Sequence, residues 1–547
     1  MRRPHHVVRV ARCIFALLLV GCSCGALNTP TPVASARPRI VVTLVYDQLA
    51  SWVLELHRGR LDPAGGIRRT IARGTYVHRV AYDYAATYTA PGHAAIYSGA
   101  APWRSQVLSN RVWDRARSAR LSTIDDGEHV LLGRASAFAS PACFVAESIA
   151  DVLERESAGA AITVSIAMKD RSAVLPGGQH PDACFWLDPR AGGFTTSTWY
   201  AATLPLWIDA FHAAHPLAET MQVWTPEDPA MLLAALGPDD APGEGAYGWG
   251  ATFPHDPSSP EAIGAPDAYL STPASTEHLL AFAREAVRAL DVGTDMQPDL
   301  LAISIATPDY IGHAFGPESW EYVDGLVRVD RAVGALLDEL ERERGPIAVL
   351  ITADHGIAPL VERSRSRGHA DAVRWTSEHE LELLRAHLTE TLGSGDWVDA
   401  WVQPYLYLSR GVDRDRVSAA IVTYLSARPA MARVIDTRDA AVLRASADPI
   451  DALIGRSIAT PAPGEIYVVP SEWSVAEEEL SADTGTSHGS PWTYDREVPV
   501  IFSGPGVAQG ETDEDGITHA RIATTIARLL GVSPPALADL RSLPGAP

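Results

Sequence analysis

The sequence predicts an α/β protein built on a central, mainly parallel sheet, and three observations carry that reading. Runs of β-branched and aliphatic residues at 39–46, 161–167, 299–306 and 346–352 are nearly unbroken by polar side chains, as in strands buried on both faces. Helical patterns at 65–74, 276–290 and 320–344 lie between them, as the crossovers of parallel strands require. Each run is followed at once by chemically capable residues: Asp47, Lys169 and Arg171, Asp309 and His313, Asp354 and His355. In open α/β sheets the carboxyl ends of the strands are where ligands bind.

The chain has 547 residues, enough for two or three average domains or one large domain with insertions. Its net charge of −22 argues against a nucleic-acid partner, because a phosphate backbone needs a basic surface. Lys169 is the only lysine, every other cationic side chain apart from histidine being arginine. A compact ammonium kept at one place alone points to a role that a guanidinium does not fill.

Residues 1–21 read as an export signal, with Arg2, Arg3, Arg9 and Arg12 ahead of an apolar run at 13–20 too short to span a bilayer. The order Leu19-Val-Gly-Cys22 resembles a bacterial lipobox, and 22–37 form a Pro/Ala/Thr-rich tether. The expectation is an exported protein, periplasmic or outer-membrane-associated, that touches the membrane only through a lipid on Cys22. Simple cleavage near Ala26 is the alternative. Residues 38–547 remain, with inserted segments expected at about 185–275 and 360–480. Cys143 and Cys184 are the only cysteines there, either paired in a disulfide or both buried as thiols.

In chain order, the strand at 39–46 delivers Asp47, and a helix at 65–74 returns the chain. Residues 84–99 start extended, carry Thr87 and Thr89, and pass through Pro91 and Gly92 into a run of small residues that suits a closely packed helix. Thr89 is therefore placed beside a helix N-terminus, where free N–H groups and the dipole favour an anion. By itself the threonine would be read as an N-cap. Residues 105–114 read as a polar loop containing Asn110, and 142–155 as a helix. Lys169 and Arg171 would face the same way if the strand at 161–167 continued through them, making an anion clamp. Asp309 and His313, four apart, can share one cation, and adjacent Asp354 and His355 after a buried strand are a stronger metal signal. The later pattern is a helix at 378–392, a strand at 401–408, a helix at 415–427, a partly helical 434–446, strands at 464–469 and 498–502, and a closing helix at 518–530. His488 lies on a glycine-flanked loop.

Asp47, Asp309, Asp354, His313, His355 and His488 are too many ligands for one tetrahedral zinc and about right for two metals. Hard carboxylates mixed with imidazoles suit Zn2+. The set Tyr46-Asp47-Gln48, Thr89-Ala-Pro-Gly-His93, Asn110, Lys169-Asp-Arg171, Asp309-Tyr-Ile-Gly-His313, Asp354-His355-Gly356 and His488-Gly489-Ser490 resembles the alkaline phosphatase superfamily. Within it the chain is most similar to the phosphate-irrepressible (PafA-type) alkaline phosphatases with a threonine nucleophile. The resemblance implies a monomer with a three-layer αβα alkaline-phosphatase-like fold and cap segments. It implies one Zn2+ on Asp309, His313 and His488, and a second on Asp47, Asp354, His355 and Thr89. It also implies that Asn110, Lys169 and Arg171 contact the phosphoryl oxygens of small-molecule phosphate monoesters, hydrolysed through a phosphothreonine. His93 is then left as a packing residue. A phosphodiesterase or nucleotide pyrophosphatase of the same superfamily is the alternative. A metal-binding lipoprotein without turnover is a third reading, from another class. A sulfatase is not implied, since no Cys or Ser precedes an x-Pro-x-Arg pattern at 89–93.

Overall fold

The computed structural model describes residues 37–245, 248–259, 265–478 and 485–547. The signal, the lipobox and nearly all of the tether lie outside the described residues.

Nine strands form the central sheet: β1 (Ile40–Tyr46), β2 (Thr75–Ala81), β3 (Thr163–Ala167), β4 (Ala183–Asp188), β5 (Gly193–Thr195), β6 (Asp299–Ile305), β7 (Ile347–Thr352), β8 (Glu497–Ser503) and β9 (Gly510–Thr512). Their order is β9-β2-β8-β7-β1-β6-β3-β4-β5. The middle five, β7-β1-β6-β3-β4, run parallel. All five are buried along their whole length, which is why their sequences lack the alternation of a half-exposed strand. β5 and β8 add antiparallel partners on either side. Two sets of helices cover the sheet. One packs around α4 (Trp320–Arg344) with Pro273–Ala289 and α3 (Thr307–Phe315), and the other joins α1 (Thr89–Ser98) to α2 (Asp170–Gly177) and Ile522–Leu530. The result is the layered α/β arrangement expected.

Several local readings are corrected. The predicted polar loop at 105–114 ends in a strand, Arg111–Asp114, that hairpins with Ala119–Ser122. The helix at 142–155 starts only after Ser148, whose hydroxyl and Asp151 form a capping box. Residues 183–195 belong to the central sheet, so the excursion placed at 185–275 starts beyond β5. The single strand at 401–408 is a hairpin of Val398–Val402 and Tyr405–Leu408, turning at Gln403-Pro404. Within 434–446 the helical part is Ala440–Arg444, as expected, and it is preceded by a strand at 431–436 that pairs with Ile466–Pro470. These last four strands make a separate antiparallel sheet, packed through its own core (Leu384, Val417, Ile421, Ile466) on the helices Ser377–Leu392 and Arg414–Ser426. Cys143 and Cys184 are free thiols.

Register brings the chemistry to one edge. Tyr46 lies opposite Ile305, Val45 opposite Thr352, and Ser304 opposite Ala167. Asp47, Asp309, Asp354 and Lys169 therefore leave the sheet at the same carboxyl end.

Candidate metal centre and active site

Two ligand clusters sit at that edge. Asp47, Asp354 and His355 form one, fully buried, and Asp309, His313 and His488 form the other, nearer the surface. In each cluster the potential ligand atoms all lie within 4.8 Å of one another. His355 Nε2 is 3.4 Å from Asp47 Oδ1 and 3.6 Å from Asp354 Oδ2. His313 Nε2 is 3.2 Å from Asp309 Oδ1, and His488 Nε2 3.7 Å from the same oxygen. The clusters adjoin, for the His355 and His488 rings stack at 3.6 Å between centroids.

Local folding aims the imidazoles. His313 Nδ1 bonds the Thr486 carbonyl at 3.1 Å, His488 Nδ1 the Thr87 carbonyl at 2.8 Å, and His355 Nδ1 the Gly356 carbonyl at 3.0 Å. A carbonyl only accepts, so Nδ1 carries a proton in all three, and in His355 and His488 this leaves an Nε2 lone pair for the site.

The donor set fits divalent cations on two counts. Asp47 Oδ1 and His355 Nε2 are buried without a hydrogen-bond partner, an expensive arrangement unless a cation completes it. Three buried carboxylates also crowd a space whose charge Lys169 offsets only in part. Its Nζ lies 2.6 Å from Asp47 Oδ2 and 2.5 Å from Asp309 Oδ2. Burial, together with Asp309 and Asp354, pushes the Asp47 carboxyl well above its usual range. Asp309 is pushed up by its own burial but held well below that range by Lys169 and His313. His313, against its burial, is raised to about 9 by Asp309. Burial, with His355 and His313 alongside, drives His488 well below its usual value, toward the neutral ligand form.

Thr89 is the first helical residue of α1, with Tyr88 rather than Thr89 in the N-cap position. It is buried, and in the chain it lies between Thr87, whose carbonyl meets His488 of one cluster, and Gly92, which packs on Asp354 of the other. Gly92, one turn on, is required by packing: a Cβ there would come within 2.2 Å of the Asp354 carbonyl oxygen. Asn110 Oδ1 accepts from the Ala90 N–H at 2.8 Å, so this side chain is tied to the first turn of α1. Lys169 and Arg171 do not continue β3. Lys169 is the N-cap of α2 and Arg171 lies in its first turn, so the same-side alternation of a strand does not apply. Lys169 instead reaches the carboxylates, while Arg171 lines a cleft of about 770 Å³ with Asn110, His313 and His488. Arg171 Nε is buried with no acceptor.

Two further residues complete the site. Gln48 donates from Nε2 to Asp309 Oδ1 at 2.9 Å and from its backbone N–H to Asp354 Oδ1 at 3.2 Å, so it touches both clusters. His93 is more than a packing residue: its Nδ1 lies 3.2 Å from Asp354 Oδ2 and 2.9 Å from the Thr89 carbonyl, and its Nε2 2.8 Å from Ser304 Oγ. The only sequence signal for either was adjacency, Gln48 to Asp47 and His93 to the Thr89 stretch.

A threonine opening a buried helix, beside the carboxyl edge of a parallel sheet that carries two carboxylate–imidazole clusters, suits a hydrolase of the phosphoester-cleaving class. Comparison with known proteins agrees. Residues 41–490 match the model of the type I phosphodiesterase / nucleotide pyrophosphatase family, and the chain belongs to that family. Over nearly its whole length it is similar to the alkaline phosphatase PafA of Elizabethkingia meningoseptica, at 26% identity across 95% of this chain and 96% of that protein. It is 25% identical to the alkaline phosphatase PhoV of Synechococcus elongatus, with 92% of each chain covered. The crystal structure of wild-type PafA superimposes with a TM-score of 0.85 at 26% identity, over 93% of this chain and 99% of that one.

Proposed function

We propose that the protein is an alkaline phosphatase that hydrolyses phosphate monoesters through a phosphothreonine at Thr89, using two zinc ions. Asp309, His313 and His488 would hold one ion, and Asp47, Asp354, His355 and Thr89 the other. When bound, the ions supply Lewis acidity, favouring the Thr89 alkoxide and offsetting charge on the departing oxygen. Thr89 Oγ1 forms a bond to phosphorus as the bond to the leaving oxygen breaks, and the departing alkoxide takes up a proton. Water then cleaves the phosphothreonine, releasing inorganic phosphate and restoring the hydroxyl. Asn110, Lys169 and Arg171 orient the non-bridging oxygens throughout. The buried helix N-terminus keeps Thr89 away from bulk water and favours the anion.

The observation that carries the monoester reading is the Arg171 guanidinium, which faces the cleft with its Nε buried and unsatisfied. It suits the dianionic end of a monoester, a charge that a diester lacks. The Lys169→Ala/Arg171→Ala double variant is expected to lower kcat/KM for phenyl phosphate about a hundredfold more than for bis(p-nitrophenyl) phosphate, the loss of two charged hydrogen bonds. Equal losses on both substrates would sink the monoesterase assignment in favour of a diesterase. Export and lipidation at Cys22 are part of the same proposal, and mass spectrometry of the membrane-extracted protein tests them.

A further inference from the structure

His355 and His488 come from loops remote in sequence, yet their rings stack at 3.6 Å between centroids. One buried residue outside both clusters holds both loops. Asp495 lies in the single helical turn Thr493–Arg496, just ahead of β8. Through Oδ2 its carboxylate accepts from the Ser490 N–H at 3.0 Å and from the Ser490 hydroxyl at 2.5 Å. Its carbonyl accepts from the Gly356 N–H at 2.8 Å, and the Tyr494 carbonyl accepts from the Ile357 N–H at 3.0 Å. The side chain thus grips the His488 loop, and the main chain grips the His355 loop.

Both grips pass on to a ligand. The Gly356 carbonyl accepts from His355 Nδ1 at 3.0 Å. The Ser490 carbonyl accepts from the Thr87 hydroxyl at 2.9 Å, and the Thr87 carbonyl from His488 Nδ1 at 2.8 Å. Close packing leaves neither loop any slack. A Cβ on Gly356 would come within 2.1 Å of the Tyr494 carbonyl oxygen. One on Gly489, whose φ is +106°, would come within 2.5 Å of the Tyr88 ring. The Asp495 carboxyl is costly to bury, and its Oδ1 has no hydrogen-bond partner, so packing alone does not explain an aspartate here. Imidazole ligands depend on such supports, since losing an outer hydrogen-bond partner costs about 10–100-fold in metal affinity.

We infer that Asp495 is a positioning residue for the metal centre, its carboxylate and its carbonyl fixing the His488 and His355 loops against one another. This rests on the two-zinc reading. Zinc affinities from chelator competition, with melting temperatures measured alongside, test it. Asp495→Ala removes the carboxylate grip and keeps the carbonyl one, so it should weaken one of the two ions about 10–100-fold. Asp495→Asn keeps an oxygen for Ser490 and replaces only the partnerless Oδ1, so it should largely restore the affinity. Ser490→Ala, which removes the hydroxyl donor alone, should give a smaller loss on the same ion. Adding Asp495→Ala to His488→Ala should leave the remaining ion's affinity unchanged, because the carboxylate acts through His488. An Asp495→Ala protein that melts earlier yet holds both ions as tightly as the wild type would overturn the role and leave a structural residue. So would an Asn variant as weak as the Ala variant, or a further loss in the His488→Ala background. If Asp495→Ala does not fold, Ser490→Ala decides by the same criterion, an unchanged zinc affinity overturning the role. A wild-type protein that takes up fewer than two zinc ions would overturn the underlying reading instead.

Discussion

Thr87 and Thr89 are both buried and only two residues apart, but the structure gives them different neighbours. Thr87 Oγ1 donates to the Ser490 carbonyl at 2.9 Å, and the Thr87 carbonyl accepts from His488. Thr89 opens α1, whose Gly92 packs on Asp354 and whose His93 lies 3.2 Å from that carboxylate. Thr89→Ala is therefore expected to abolish the acid-stable phosphoenzyme trapped from a radiolabelled monoester. Thr87→Ala should keep the trap and lose about 1–2 kcal/mol of stability from the missing buried hydrogen bond. The reverse pattern would show that the nucleophile is misassigned. His93 supports a second prediction. Because its imidazole lies against Asp354, His93→Ala should weaken metal retention about 10–100-fold in chelator competition, in addition to the lower melting temperature that removing a fully buried, hydrogen-bonded side chain brings. Unaltered retention would return His93 to packing alone. The ligands themselves were legible in the sequence because each directly follows a buried strand or lies on a glycine-flanked loop. Gln48 and His93 were not, because their partners arrive from remote segments: Ser304 is 211 residues from His93, and Asp309 is 261 from Gln48.

At the scale of elements, α4 is tied to the catalytic strand through one carboxyl group. Asp330 Oδ1 accepts from the Ile67 N–H at 2.7 Å and from the Tyr46 hydroxyl at 3.2 Å, so it joins the helix Gly66–Arg73 to the end of β1, one residue before Asp47. Asp62 and Arg68 also face it. Burial raises its pKa from the ordinary 3.8 to about 7, so the folded protein holds this proton more tightly than the unfolded chain. The stabilising contribution is complete below the ordinary value and is lost as pH rises through about 7. Asp330→Asn, which mimics the protonated form, should thus raise the melting temperature above pH 8 and change it little near pH 4. A variant less stable across the whole range would mean that the ionised carboxylate is the favoured form. Strand direction and pairing were not legible in the sequence. Apolar runs reveal burial but not direction or partner, so β8 gave no sign that it runs antiparallel to β7, and Tyr405–Leu408 gave no sign of its hairpin with Val398–Val402. The long helix Trp320–Arg344 was legible to the residue because its amphipathic repeat persists and Ser319 caps it.

For the molecule as a whole, four of the five parallel strands were readable from their unbroken apolar character, which burial on both faces explains, while β4 was placed at the start of an insertion. What that sheet assembles is a concentration of negative charge where water is scarce. Asp47 and Asp354 are fully buried and Asp309 is 3% exposed, with Lys169 2.5–2.6 Å from two of the three. Such a site opposes folding unless cations complete it, so metal binding and global stability should be linked. Stripping metal with a chelator is expected to lower the melting temperature, and zinc should restore it. Each ion bound at about a thousand times its dissociation constant contributes roughly 4 kcal/mol. Zinc titrated into the stripped protein should raise the melting temperature until two equivalents are bound. His488→Ala should cut the stoichiometry to one equivalent by removing a ligand from the outer cluster, and Asp354→Asn should do the same through the inner one. Because the His355 and His488 rings stack, each variant should also weaken the ion that remains. Saturation at one equivalent in the unaltered protein, or a stripped protein that melts no earlier, would reduce the two clusters to a single site.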